Sequence, residues 1–161
     1  MAKQKPINWL AVTGCIASVE LLGNIGSLAT FSQITTWYAL LAKPFFNPPS
    51  WIFGPVWTLL FALMGVAVYL IWRAPVQGSP LRLAYGAFAL QLMLNILWSF
   101  IFFGWHQPFI ALLEIIILAL AIVLNIREFA KVSAPAAWLM VPYLMWVLFA
   151  TILNMAIWLL N

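Results

Sequence analysis

Two carboxyl groups, Glu20 and Glu114, stand inside long apolar runs of the chain. An ionised carboxylate in hydrocarbon is costly, so such a residue either serves function or takes up a proton and bonds locally. Glu20 has Asn24 one helical turn on as a partner, and no basic residue lies deep in any run to pair with either acid. A neutral, structural carboxyl is the expected state of Glu20, while the role of Glu114 stays open. The segment QLMLNILWSFIFFG sets Gln91, Asn95, Trp98 and Phe102 at spacings of four, three and four, on one helical face. Amides in hydrocarbon need partners, so that face points into a bundle, where interhelical hydrogen bonding and ligand contact are equally open. The segment VPYLMWVLFATILN places Pro142, Trp146, Ala150 and Asn154 on one face at spacing four. Pro142 frees a carbonyl and kinks the helix, and Ala150 leaves room beside the indole of Trp146. That alternation suits a pocket or close helix packing.

Other chemistries lack their parts. The single cysteine, Cys15, lies within the first apolar run and the single histidine, His106, in a turn, so neither an intramolecular disulfide nor a clustered metal site is expected. Cys15 reads as a small packing residue. The sequence has no nucleophile-base pair and no phosphate loop, and no catalytic residue is assigned.

The elements that position these residues follow from composition. With 66% hydrophobic and 6% charged residues and a mean hydropathy of +1.08, the 161-residue chain cannot cover a water-facing surface with charge. The apolar runs are 7–31, 51–72, 83–104, 108–129 and 136–159. Each reaches the roughly 20 residues that cross a hydrocarbon core, and none alternates as barrel strands do over about 10 residues. The fold class is therefore an all-α integral membrane protein, a bundle of five transmembrane helices in one domain. The first run is too long, and too interrupted by Glu20, for a cleaved signal peptide. Three short connections make sequence neighbours antiparallel. A weak echo between the second and fifth runs does not amount to two matching halves, so a symmetric alternating-access transporter is disfavoured.

The net charge of +4 is neither clustered nor interleaved with aromatics as nucleic-acid binding needs. It reports topology instead. Lys3, Lys5, Arg73, Arg82, Arg127 and Lys131 fall on the side of the N-terminus and only Lys43 opposite, so a cytoplasmic N-terminus and an external first loop are expected. That loop, 32–50, carries Pro44, Pro48 and Pro49 among aromatics. Loops of this length in compact proteins are usually functional, and this one reads either as a stiff aromatic lid over the bundle or as an interfacial aromatic belt.

The motifs, taken in order, resemble the TspO/translocator protein family, also called peripheral benzodiazepine receptors. The matches are Trp37-Tyr38, Lys43-Pro44 and Pro48-Pro49 in the loop, Trp51 and Pro55-x-Trp57 beyond it, and Gln91-xxx-Asn95-xx-Trp98 ending in Phe102-Phe103-Gly104. Pro142-Tyr143-Leu144-x-Trp146-xx-Phe149-Ala150-xx-Leu153-Asn154 completes them. The resemblance implies five helices around a pocket under the first loop that binds porphyrins, such as protoporphyrin IX, and synthetic aromatic ligands. Carried over by position, the pocket includes Tyr38, Pro48, Phe53, Trp57, Phe61, Gln91, Asn95, Trp98, Trp146, Ala150 and Asn154. Glu114 falls where relatives often carry an acid; Glu20 receives no family role. A homodimer and a bacterial-type plasma membrane are also implied.

Two departures stand out. No basic residue follows Tyr143, so the sterol-recognition pattern of animal members is not supported. The small-xxx-small pattern is only partly kept, Gly86 being followed four later by Leu90. A flat macrocycle suits stacking on Trp57 and Trp146 with amides at its polar edge. Haem would want an axial His or Cys, so a metal-free porphyrin or a bilin is the expected ligand, with no further cofactor required. The competing readings are a light- and oxygen-dependent porphyrin-degrading enzyme that uses the pocket tryptophans, and a structural or regulatory membrane partner.

Overall fold

The computed structural model describes residues 6–161; Lys3 and Lys5, which carry part of the topology argument, lie outside the described residues. Five helical stretches are long and apolar enough to cross a membrane: Trp9–Thr30, Ser50–Arg73, Ser79–Gly104, Pro108–Val132 and Ala134–Leu160. The third and fifth begin earlier than the apolar runs suggest, because Ser79-Pro80 and Ala134-Pro135 supply helix-starting prolines ahead of the apolar residues. Large apolar side chains face outward on every span, among them Leu21, Leu59, Met93, Ile117 and Ile152, each more than half exposed. Hydrocarbon is the only solvent that such a surface matches, and the chain is a multi-pass membrane protein.

The first span is three pieces: α1 (Trp9–Gly23), a 3-10 turn (Asn24–Gly26) and α2 (Ser27–Thr30). Asn8 caps it, its side chain accepting from the Ala11 amide at 3.2 Å, while its own amide donates to the Tyr69 hydroxyl at 2.9 Å. Within the loop, a single turn α3 (Trp37–Leu40) forms. The second span is α4 (Ser50–Arg73). The third is α5 (Ser79–Ser99), whose end widens into a π-helical turn, Phe100–Gly104, closed by the Trp105 amide donating to the Phe100 carbonyl at 2.8 Å. The fourth is α6 (Pro108–Val132). The fifth is split into α7 (Ala134–Leu139) and α8 (Val141–Leu160) at Met140, two residues before Pro142, as the missing amide of proline requires.

Around the bundle the first span packs on α4, α4 on α7, the fifth span on α6, α6 on α5, and α5 returns to the first span. Two contacts set this order. Gly65 lets α1 lie directly on α4, since a Cβ there would stand 2.5 Å from the Ile16 Cα. Phe88 and Phe129 stack at 6.0 Å between α5 and α6 and fix their antiparallel register. The core of Met64, Ile71, Ile122, Phe129, Met140 and Tyr143, all fully buried, fills the half of the bundle away from the 32–50 loop. At the loop end α4 and the fifth span part company: α7 packs on α4, but α8, beyond the break, packs chiefly on α6.

Candidate functional site

The divergence of α4 and α8 leaves a cavity of about 230 Å³ at the loop end of the bundle. Its walls come from four spans and the loop. From the first span come Asn24, Ser27 and Thr30; from α4 Phe53, Trp57 and Phe61; from the third span Asn95, Trp98, Phe102 and Phe103; from α8 Trp146, Ala150 and Asn154; and from the loop Tyr38. The structure thus brings together all but two of the residues that the sequence nominates. Pro48 is half-buried in the loop, where its carbonyl accepts from the Asn47 amide at 3.1 Å, and is not part of the wall. Gln91 lies one turn below Asn95, fully buried between helices and off the wall; neither its side-chain nitrogen nor its oxygen meets a partner among the described residues.

The polar groups of the wall are held by one another. Asn154 is 1% exposed, accepts from the Trp98 indole N–H at 3.1 Å, and donates to the Pro108 carbonyl at 2.8 Å. One amide thereby fixes α8 against both the third span and the start of α6. Asn95 donates to the Tyr143 hydroxyl at 3.1 Å, joining α5 to α8 beneath the cavity. Both faces read from the sequence therefore supply interhelical hydrogen bonds and cavity wall at once, through Asn95, Trp98 and Asn154. Glu114 is buried and off the wall, and neither of its oxygens has a partner among the described residues. Glu20 bonds as expected: the Asn24 side-chain nitrogen donates to its carboxylate at 3.2 Å and to its carbonyl at 2.8 Å.

Aromatic rings make up most of the surface. Trp57 stacks on Phe61 at 5.3 Å, Phe53 meets Trp146 edge-on at 5.9 Å, and Trp98 stacks on Phe102 at 5.1 Å. The π-helical turn matters here, because its extra residue carries Phe102 and Phe103 together beneath Tyr38. Among the described residues no Asp, Glu, Lys, Arg or His lines the cavity. Among the described residues no group of three His, Cys, Asp or Glu is placed to hold a metal.

The loop covers the cavity as a fastened lid. Tyr38 is 5% exposed, and its hydroxyl donates to the Asn47 side-chain oxygen at 2.7 Å. Burial pushes its phenol up to about 12, with the Asn47 bond acting the other way. Lys43 sits over the Tyr38 ring, 4.8 Å from its centroid, and donates to the Ala39 and Leu41 carbonyls. Trp37 stacks on His106 at 4.3 Å, and a ring nitrogen of His106 lies 3.0 Å from the Gln33 side-chain oxygen. At the other edge, the Asn161 amide pairs with both backbone groups of Ala42, each at 3.0 Å.

Sequence reasoning missed the wall given by the first span, where Asn24, Ser27 and Thr30 line the cavity. A signal existed: three polar residues at spacing three inside an apolar run. It was obscured because the first span matches the family motifs least.

The comparisons with known proteins agree with this architecture. A family model described as the TspO/MBR family matches residues 15–159. The chain is 43% identical over 155 residues to a tryptophan-rich protein TspO of Archaeoglobus fulgidus, covering 96% of this chain and 99% of that protein. It is 35% identical over 152 residues to the translocator protein of Homo sapiens, covering 93% and 89%. Against a tryptophan-rich sensory protein of Cereibacter sphaeroides it is 38% identical over 118 residues, covering 73% and 72%. With a matching model across nearly its whole length and relatives this similar end to end, the chain belongs to the TspO/MBR family.

Proposed function

We propose that the protein is a membrane receptor or carrier for a metal-free tetrapyrrole, a porphyrin or a bilin, held under the lid between Trp57 and Trp146. The observation that carries this reading is the wall itself, in which indole and phenyl faces surround a few fixed amides and no charge. That chemistry favours a flat, polarisable, neutral ring over an ion or a sugar. Pockets for drug-sized ligands run from about 300 to 1,000 Å³, so 230 Å³ admits part of a macrocycle until the walls move apart. The acidic edge of such a ligand then sits at the lid end, where Lys43 lies beside Tyr38. The names translocator and sensory protein carried by relatives fit a protein that binds and hands on or reports a ligand.

The test is a titration with protoporphyrin IX, followed by quenching of tryptophan fluorescence in detergent. Trp57→Ala and Trp146→Ala should each weaken binding by about 1 to 3 kcal/mol, the cost of losing a stacking partner, and the Phe replacements by less. Trp9→Ala, at the far end of the first span, is the control. Equal affinity in all of these would refute the site, and unsaturable signal throughout would refute the ligand class.

A further inference from the structure

We infer that the cavity opens sideways into the bilayer, through a cleft between the first span and α4, and that its ligand passes through that cleft as a solute of the membrane. The cleft follows from where glycines let helices touch. At Gly65 and again at Gly23 the first span lies on α4; a Cβ on Gly23 would stand 2.5 Å from the Phe61 ring. At the next turn the chain tightens into the 3-10 segment and changes neighbours. A Cβ on Gly26 would stand 2.8 Å from the Ser99 hydroxyl oxygen, so the rest of the span rests on α5 and the π-helical turn. Above the Gly23 and Phe61 contact the first span packs chiefly on α5 and the π-helical turn rather than on α4.

The two walls of this cleft are cavity wall too. Asn24 and Ser27 on one side, and Gly54 and Thr58 on the other, all line the cavity. Asn24, Gly54 and Thr58 are at the same time exposed, and the large apolar side chains of Leu28 and Leu59 near them are exposed as lipid-facing residues are. A Cβ built on Gly54 would meet nothing within 4 Å. Polar groups exposed at this depth are costly against lipid, and a passage for a ligand with both ring and polar edge gives them a purpose. Glu20, just below Asn24, is the sill, its carboxyl holding the Asn24 amide that faces the passage. The loop end, by contrast, is tied at Tyr38, Trp37 and Ala42. The cleft also answers the volume shortfall, because a macrocycle larger than the enclosed space projects into it. The opening is independent of ligand identity; the ligand class rests on the proposed function.

A nitroxide at Ser27→Cys, in a Cys15→Ala background and in lipid vesicles, tests the opening without any ligand. Its collision with oxygen, which concentrates in hydrocarbon, should resemble that of a label at lipid-facing Leu59→Cys rather than at buried Met64→Cys, while a water-soluble nickel chelate should not reach it. Thr58→Cys repeats the measurement from the facing wall. Low oxygen collision at both sites, or ready collision with the chelate, would overturn the inference. In the second arm Gly54→Trp fills the passage, and both association and release of vesicle-dissolved protoporphyrin IX should slow by about tenfold. Unchanged association, or faster release, would show that the ligand uses the lid or that the site is merely damaged, and would likewise overturn it. A wild-type protein that binds no protoporphyrin IX would sink the proposed function, and the nitroxide result would still decide the opening.

Discussion

Asn154 is the joint of the site, and its removal has a calculable consequence. Its side chain accepts from Trp98 at 3.1 Å and donates to Pro108 at 2.8 Å, so Asn154→Ala breaks two interhelical bonds at a position 1% exposed. Interhelical hydrogen bonds in membrane proteins average about 0.6 kcal/mol and reach about 1.7, so two bonds amount to roughly 1 to 3 kcal/mol. For a chain of this size each kcal/mol lowers the melting temperature by about 2 to 4 °C, giving a fall of roughly 2 to 12 °C. Part of that loss belongs to the Trp98 bond alone, and a double-mutant cycle isolates it. Trp98→Phe removes the indole N–H in the wild type, but in the Asn154→Ala background there is no bond left to lose. The second substitution should therefore cost about 0.5 to 1.5 kcal/mol less there. The assay is thermal unfolding in detergent of the wild type, both single variants and the double variant. Additive losses would show that the 3.1 Å contact holds nothing together, and would remove the reason given for the placement of α8.

Gly65→Ala should cost about 1 to 3 kcal/mol in the same assay, because the new Cβ meets the backbone of Ile16 rather than a movable side chain. Gly86→Ala, whose Cβ meets nothing and which sits inside α5, should leave the melting temperature unchanged or raise it slightly. The Tyr38 phenol stands at about 12 in the folded protein against about 10 when unfolded, so its stabilisation of the lid is complete below pH 10 and lost as pH rises through 12. Absorbance at 295 nm should show one tyrosine fewer ionising in that window in Tyr38→Phe than in the wild type; an identical titration of the two would contradict the burial argument. Ser32→Cys in a Cys15→Ala background should label with an impermeant maleimide in intact cells, and labelling only after permeabilisation would reverse the proposed orientation.

The spans were legible because hydrocarbon leaves so little choice: five apolar runs must be five helices, and the largest shifts of bounds are the early start at Ser79, where a proline opens the helix, and the fourth helix running on through charged residues to Val132. The faces of the third and fifth spans were legible for a related reason, since an amide such as Asn95 or Asn154 has to look inward. Their partners were not, because Tyr143 and Pro108 lie 48 and 46 residues away in sequence and no local pattern points to them. Gln91 shows the limit of periodicity, sharing a face with Asn95 yet lying a turn too deep for the cavity. The π-helical turn left no trace either, for FIFFG is an ordinary helical sequence whose widening depends on tertiary packing. The first span was underread because no local pattern marks which helix a glycine touches, and Gly23 and Gly26 send one span to two different neighbours.

The bond between Asn161 and Ala42 joins residues 119 apart, and this separation orders the protein's assembly. A chain made from its N-terminus inserts the first four spans before the residues that fasten this edge of the lid have been synthesised. Until α8 is in place, the loop has Gln33, Trp37 and Tyr38 to anchor one side and nothing to anchor the other. The nascent protein thus passes through a stage in which the chamber lacks both its α8 wall and this tie of its lid, and docking of α8 supplies the two together.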